Sequence, residues 1–187
     1  MDLPYFQGLT FEKNENLVLG EYDGCIFKGF DWTEMDFSSF SFSDCTFLDC
    51  NFSLAKTFRT SFREVIFKGC KMVGLRFDDC NPFGLSFSFY GCTLNHSTFF
   101  QLKLKKVIFK DCQIQEVDFS EADLSESDFS DSRLTLSIFH RTNLERCDFR
   151  SASVFSIDPE NNRIKGAKFS NSGLSGLLEN YGLIIED

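Results

Sequence analysis

What the sequence lacks narrows the field before anything in it is interpreted. It contains no run of about 18 apolar residues, so no segment reads as a membrane-spanning helix and no membrane association is expected. Its first residues, Met1-Asp2-Leu3-Pro4-Tyr5-Phe6, have neither the basic nor the apolar stretch of a secretory signal, which points to the cytoplasm. Only two histidines are present, His96 and His140, and neither belongs to a recognisable triad or metal motif. No Cys-x-x-Cys occurs, and Cys45 and Cys50 have no nearby histidine, so neither a zinc site nor any cofactor is expected. Basic charge is short as well: 19 Lys and Arg against 28 Asp and Glu leave a net charge of -9 at pH 7. That balance argues against direct nucleic-acid binding and leaves a basic partner or plain solubility. An enzyme is the least favoured class, and the many serines read as corner residues rather than nucleophiles.

What is present in excess is phenylalanine, 25 residues against a single Trp in a chain of 187. A chain of this length has room for one domain with a continuous core. The stretch Glu116 to Leu134 shows why Phe recurs. It runs Glu-Val-Asp-Phe-Ser, Glu-Ala-Asp-Leu-Ser, Glu-Ser-Asp-Phe-Ser, Asp-Ser-Arg-Leu, a period of five that matches neither a helix nor an ordinary strand. Self-similarity at a short fixed period marks a solenoid, whose units touch mainly their neighbours.

Stepping by five from Tyr22 gives Phe27, Trp32, Phe37, Phe42, Phe47, Phe52, Thr57, Phe62, Phe67, Met72, Phe77, Pro82 and Phe87, of which only Thr57 and Pro82 are poor core residues. The phase then slips by two near residues 90–93, at Tyr90-Gly91-Cys92, which reads as a bulge or short loop. Beyond it the centres are Leu94, Phe99, Leu104, Phe109, Ile114, Phe119, Leu124, Phe129, Leu134, Phe139, Leu144, Phe149 and Val154. The expected organisation is an N-terminal cap over 1–21, a repeat region over 22–155 and a C-terminal cap over 156–187. The cap covers the first coil and blocks edge-to-edge pairing.

All eight cysteines, Cys25, Cys45, Cys50, Cys70, Cys80, Cys92, Cys112 and Cys147, fall two residues before a centre. The same slot elsewhere holds Val107, Ala122, Ser127 and Ala152. Packing as small buried groups therefore explains them without chemistry, and disulfides are not expected in a cytosolic chain.

The unit now described, a small residue, Asp or Asn, Leu or Phe, Ser or Thr, then any residue, resembles the pentapeptide-repeat family over about Tyr22 to Val154. The resemblance implies an all-β solenoid, a right-handed quadrilateral β-helix in which four five-residue sides make a coil of 20. It implies nearly seven coils, or about 30 Å of rod at ~4.8 Å per coil. Phe alternates with Leu, Ile or Val in the second array, so every 20-residue step stacks like on like. Phe109, Phe129 and Phe149 form one ladder and Phe99, Phe119 and Phe139 the opposite one.

The repeat pauses at Ile157-Asp158-Pro159-Glu160-Asn161-Asn162 and resumes briefly at Gly166-Ala167-Lys168-Phe169-Ser170. Leu174, Leu177, Leu178 and Tyr181 then follow helical spacing, Gly182 stands at a helix C-terminus, and Leu183-Ile184-Ile185 is too apolar to be left uncovered. This tail resembles the C-terminal helix of Qnr-type quinolone-resistance proteins. The resemblance implies a homodimer through Leu174, Leu177, Leu178, Tyr181, Leu183 and Ile184; the alternative is a monomeric cap.

Gyrase-binding members of the family imitate DNA, so the resemblance implies DNA gyrase or topoisomerase IV as partner. Imitation requires acids stacked 20 residues apart, since duplex DNA carries one negative charge per roughly 1.7 Å of axis. The acids of Glu116 to Asp131 spread over four sides instead, with Glu126 between Lys106 and Arg146 and Glu121 next to Arg141. Only the side centred on Phe109, Phe129 and Phe149 stacks Asp111, Asp128, Asp131 and Asp148 without an opposing base in the same columns, with Lys110 and Arg150 flanking. These acids also suit corners, where they bond nearby backbone. Phe58, Phe83, Phe89 and Phe100 lie off the inward positions. Phe83, Phe89, Tyr90 and Phe100 bracket the slip as candidate exposed contacts, although an insertion of about two residues is too short for the long functional loop some Qnr-type proteins carry. The expected function is a non-enzymatic DNA mimic that protects a type II topoisomerase from quinolones or gyrase-poisoning peptides. The alternative is a scaffold with an unrelated partner, because fold alone does not give function.

Overall fold

In the computed structural model, which describes residues 3–13 and 15–184, the chain winds as a four-sided parallel β-solenoid. Ten short strands form where sides are most extended: β1 (Tyr5–Gln7), β2 (Thr10–Glu12), β3 (Glu21–Asp23), β4 (Ile26–Lys28), β5 (Ser41–Ser43), β6 (Thr46–Leu48), β7 (Ser61–Arg63), β8 (Val65–Lys68), β9 (Phe87–Tyr90) and β10 (Ile108–Lys110). They make two parallel sheets on adjoining sides, a four-stranded one in the order β1-β3-β5-β7 and a six-stranded one in the order β10-β9-β8-β6-β4-β2. Elsewhere the coils are joined by single parallel bridges such as Asp118↔Ile138 and Asn143↔Arg163.

The five-residue period has a direct cause. Each side turns one apolar residue inward, and the left-handed corner two residues later redirects the chain by one side. Corners such as Asp44, Glu64 and Asp111 hold φ of +52°, +52° and +55°. Non-glycine residues adopt this conformation at a cost, which stacking of each coil on its neighbours offsets. The inward residues form continuous ladders. On one side Phe11, Phe27, Phe47, Phe67, Phe89, Phe109, Phe129, Phe149 and Phe169 stack face to face with centroids 4.7 to 5.4 Å apart. Phe77, Phe99, Phe119 and Phe139 form the opposite stack, and the two meet edge to face, as Phe109 does with Phe119 at 5.7 Å and 76°.

The ladders reach further than the repeat read from sequence. Phe6 stacks on Tyr22 and Phe11 on Phe27, so the N-terminal segment is itself a short first coil, in register 16 residues below the next (Phe11↔Phe27). At the other end Phe169 stacks on Phe149 at 5.2 Å.

The slot two residues before a centre is mostly buried, and where it holds Cys, Ser or Thr it carries a donor. Cys45 Sγ donates to Tyr22 O (3.4 Å) and Cys70 Sγ to Phe47 O (3.4 Å). Ser132 Oγ donates to Phe109 O (2.8 Å) and Thr142 Oγ1 to Phe119 O (2.9 Å). In each case the acceptor is the centre of the coil below, 23 residues earlier. All eight cysteines are free and buried, and burial pushes the thiols of Cys45 and Cys147 up to about 12, far from reactive thiolates.

The phase slip is displaced from its expected place at 90–93. Asn81 Nδ2 still bonds Ser61 Oγ (3.0 Å), a step of 20, whereas Phe87 already pairs with Val65 and Phe89 with Phe67, a step of 22. The two extra residues therefore lie between Asn81 and Phe87. Pro82 has no N–H for a rung, and Gly84 takes the left-handed φ of +70° that the detour requires. Phe89, not Phe87, becomes the centre. Phe87 drops into the slot two before it and stays buried against Phe77, Phe89 and Phe99.

Candidate interaction surface

The four acids singled out by sequence lie on the Phe27 side, but they are not equivalent. Asp111 and Asp131 are left-handed corner residues, with φ of +55° and +60°. Asp128 and Asp148 are neighbours in one column through a parallel bridge, and each has a local backbone task. Asp128 Oδ1 accepts the Ser130 N–H (2.8 Å) and the Ser130 hydroxyl. Asp148 Oδ1 accepts the Arg150 N–H (3.1 Å). The Arg150 guanidinium also grips Asp148 through Nε (3.0 Å) and Nη2 (2.6 Å). Together with Lys168, in register one coil on, it holds the Asp148 carboxyl below the usual carboxylate range. The expectation that these columns lack an opposing base is thus corrected. The pause at Pro159 hid the fact that Asp148↔Lys168 continues the 20-residue step.

Of the cross-coil pairings expected, that of Glu126 forms, whereas Glu121 makes no ion pair with Arg141 among the described residues. Glu126 lies between Lys106 (3.8 Å) and Arg146 (3.2 Å). His96 meets Glu116 at 3.4 Å, Lys105 meets Asp123 at 3.6 Å and Arg163 meets Glu145 at 2.9 Å. Glu121 accepts a bond from Gln101 Nε2 (2.8 Å). These are exposed pairs, each weak by itself. Among the described residues no three or more His, Cys, Asp or Glu side chains are grouped as a metal ion would need.

The aromatic group around the slip divides. Phe83 is 77% exposed and Phe100 38% exposed. Tyr90 is half-buried, with Lys68 Nζ 6.0 Å above its ring. Phe89 is fully buried between Phe67 and Phe109 and cannot contact a partner. This correction follows from the displaced insertion, which turns Phe89 inward. Phe58 is exposed, with the Arg59 guanidinium 5.1 Å from its ring centroid.

The C-terminal helix is one turn long, α1 (Ser175–Leu178), between two 3-10 turns at Asn171–Gly173 and Glu179–Tyr181. Gly182 closes it at φ +62°, as helical spacing predicts. The segment sits tightly on Phe155. A Cβ on Gly176 would lie 2.3 Å from Phe155 O, so only glycine allows the approach. Leu177 packs on the core. Leu178 lines a groove of about 570 Å³ with Leu136, Val154, Phe155 and Leu183. Leu174, Tyr181, Leu183 and Ile184 are exposed, Ile184 by 90%, and Tyr181 Oη donates to Glu160 (3.0 Å). Leu136 and Ile138, which sequence reading passed over, are 71% and 52% exposed. Val154, expected as an inward centre, is instead a left-handed corner at φ +54° and 50% exposed, because the regular step ends after Phe149 and Phe155 is the residue buried there. With the tail, Leu136, Ile138 and Val154 concentrate apolar surface at this end. Ile185 lies outside the described residues.

Comparison with known proteins agrees with this architecture. Residues 85–149 match the family model described as a pentapeptide repeat region. No curated protein matches the chain. Among solved structures, two trypsin-treated variants of QnrB1, a plasmid-mediated fluoroquinolone resistance protein, are similar along the whole chain. One superposes with a TM-score of 0.65 at 18% identity, covering 99% of this chain and 98% of that one. The other also scores 0.65 at 18% identity and covers both chains fully. Full-length QnrB1 gives 0.58 at 18% identity, covering 96% of this chain and 97% of that one. The chain therefore carries a pentapeptide-repeat region by sequence over residues 85–149 and the pentapeptide-repeat fold over its described length.

Proposed function

We propose that this protein is a non-enzymatic, cytoplasmic, DNA-mimicking partner of a type II topoisomerase, DNA gyrase or topoisomerase IV, and protects it from quinolones or gyrase-poisoning peptide toxins. The observation that carries the reading is the end-to-end fold similarity to QnrB1, a fluoroquinolone resistance protein, in a chain of net charge -9. Asp111, Asp128 and Asp131 supply unneutralised acid on one side, while Asp148 contributes less because Arg150 and Lys168 balance it. Buried serines such as Ser132 and Ser137 are occupied structurally, Ser132 between Phe109 O and Cys112 N–H and Ser137 on Ile114 O, which favours binding over catalysis. The apolar C-terminal end, with Leu183 and Ile184 exposed beside the Leu136 and Val154 groove, supports a homodimer through that segment.

The test is supercoiling by purified gyrase, titrated with this protein with and without a fluoroquinolone. Rescue in the drug arm, or inhibition at higher dose, is the expected result. No effect in either arm, with the protein folded, overturns the reading. The shortness of the free acidic run favours a second reading, a scaffold for an unrelated protein. A pull-down that recovers one partner and no topoisomerase would establish it.

A further inference from the structure

The insertion before Phe87 does more than shift the register: it removes a corner. On other coils the corner that precedes the Phe27 side is left-handed, as at Asp44, Glu64, Lys106, Glu126 and Arg146, with φ from +52° to +64°. The corner N–H usually bonds a carbonyl on the next coil. Asp44 N–H reaches Arg63 O (2.9 Å), Lys106 N–H reaches Ser125 O (2.9 Å), Glu126 N–H reaches Glu145 O (2.8 Å) and Arg146 N–H reaches Lys165 O (3.1 Å). Ser86 occupies this position on the coil with the insertion, and it is not left-handed. Its N–H is turned down to Phe62 O (3.0 Å), and its hydroxyl, rather than a carbonyl, receives the Glu64 N–H (2.8 Å). Among the described residues, Lys105 O consequently receives no backbone N–H from the coil below. The four-stranded sheet ends here at β7, while the six-stranded sheet on the next side continues.

A groove of about 450 Å³ opens where the corner is missing. Val65, Phe87, Leu104 and Val107 are its buried apolar floor. Lys103, Lys105 and Lys106 stand on one wall, Asp44 and Glu64 on the other. Lys105 and Lys106 make only long ion pairs, at 3.6 and 3.8 Å, and Lys103 makes none among the described residues.

We propose that this groove binds a short extended peptide segment of a partner protein, an acidic residue flanked by aliphatic ones, by strand addition. The segment's backbone N–H supplies the donor that Lys105 O lacks, restoring the interrupted ladder. Successive side chains point to opposite faces. An aliphatic side chain therefore covers the Phe87 and Leu104 floor while the carboxylate next to it lies toward the lysine wall, where a charge-assisted bond is strongest. This site uses none of Asp111, Asp128, Asp131 or Asp148 and stands whatever the macromolecular target proves to be.

The test uses the full chain and a defined probe, acetyl-Val-Glu-Val-Thr-amide, titrated by amide-resolved NMR. Saturable shifts centred on Ser86, Lys105 and Lys106 are expected. Affinity should fall about tenfold, the worth of roughly 1.4 kcal/mol, in Lys105→Glu with Lys106→Glu, for the probe methylated on its Glu nitrogen, and for a probe with Lys in place of Glu. Deleting Pro82 and Phe83 restores the 20-residue step and should abolish the shifts; the charge-reversal variant, which alters only exposed side chains, decides the matter if the deletion does not fold. Absence of saturation at millimolar probe overturns the proposal. So does equal binding of the Glu and Lys probes, or unchanged binding by the charge-reversed variant.

Discussion

The Phe27 side is built in two ways along one rod, and the difference shows what a five-residue unit leaves open. Up to Phe109 it is extended and forms the six-stranded sheet. At Phe129 and Phe149 it is a tight turn, closed by Ser132 N–H to Phe129 O (3.2 Å) and Ala152 N–H to Phe149 O (3.1 Å). The residues before the extended centres are Ile26, Thr46, Ile66, Ser88 and Ile108; before the turned ones they are Asp128 and Asp148. β-branched residues favour extended backbone, whereas an Asp carboxylate captures the N–H two residues on and closes a turn. The period thus places the side, and the residue before the centre selects its form. The core differs as well. Tyr22, Phe27, Trp32 and Phe37 make the second coil aromatic on all four sides, while from Leu94 onward the coils alternate Phe with Leu or Ile.

Truncating the ladder in each half gives the largest effects. Phe47 touches Phe27, Trp32, Phe42, Phe52 and Phe67 within 6.0 Å. Phe129 has two stacked rings and two more distant edge contacts. Phe47→Ala and Phe129→Ala should each cost roughly 3 to 5 kcal/mol, with Phe47→Ala the larger by denaturant unfolding. Equal losses would mean that aromatic density adds nothing to the N-terminal half.

The buried donor slot comes next. Ser132→Ala leaves Phe109 O and Cys112 N–H without the hydroxyl that serves both, at about 1 to 3 kcal/mol. Ser132→Cys should recover part of that loss, because cysteine fills this slot in the N-terminal half. A Cys variant no better than Ala would separate the halves more deeply than proposed.

Asp128→Ala removes the turn-closing bonds at Ser130 and should cost about 1 kcal/mol. Asp128→Ile should be less harmful, because Ile108 occupies the same column one coil below in an extended side. Equal urea midpoints for the two variants would show that the residue before the centre does not choose the form of the side.

The smallest effect is electrostatic. Asp148 has a folded pKa below its unfolded value. Its contribution is therefore present above the ordinary carboxylate range, about 4, and is lost as pH falls through the lower folded value. The stability difference between wild type and Arg150→Ala should be constant from neutral pH down to that range and shrink below it. A difference that grows on acidification would contradict the assignment.

Much of this was legible in residues alone. The Phe109, Phe129 and Phe149 ladder, the burial of every cysteine two before a centre and the Gly182 cap follow from periodicity and chemistry. The position of the insertion was not. Phe87 and Phe89 are both aromatic and two apart, so period alone reads either as a centre. Only the stack of Phe67, Phe89 and Phe109 chooses between them. The same ambiguity made Phe89 look exposed. Phe6 and Phe11 escaped notice because 16 residues, not 20, separate them from Tyr22 and Phe27.

The sequence by itself determined the solenoid, its inward ladders and its small buried slots, because each five-residue side must bury one apolar residue whatever lies elsewhere. Tertiary structure alone decided which acids remain free, where the corner is lost and how the tail seats on Phe155. Those outcomes depend on residues a whole coil away, such as Lys168 beside Asp148 and Lys105 above Ser86, and an irregular step in the winding sets their alignment.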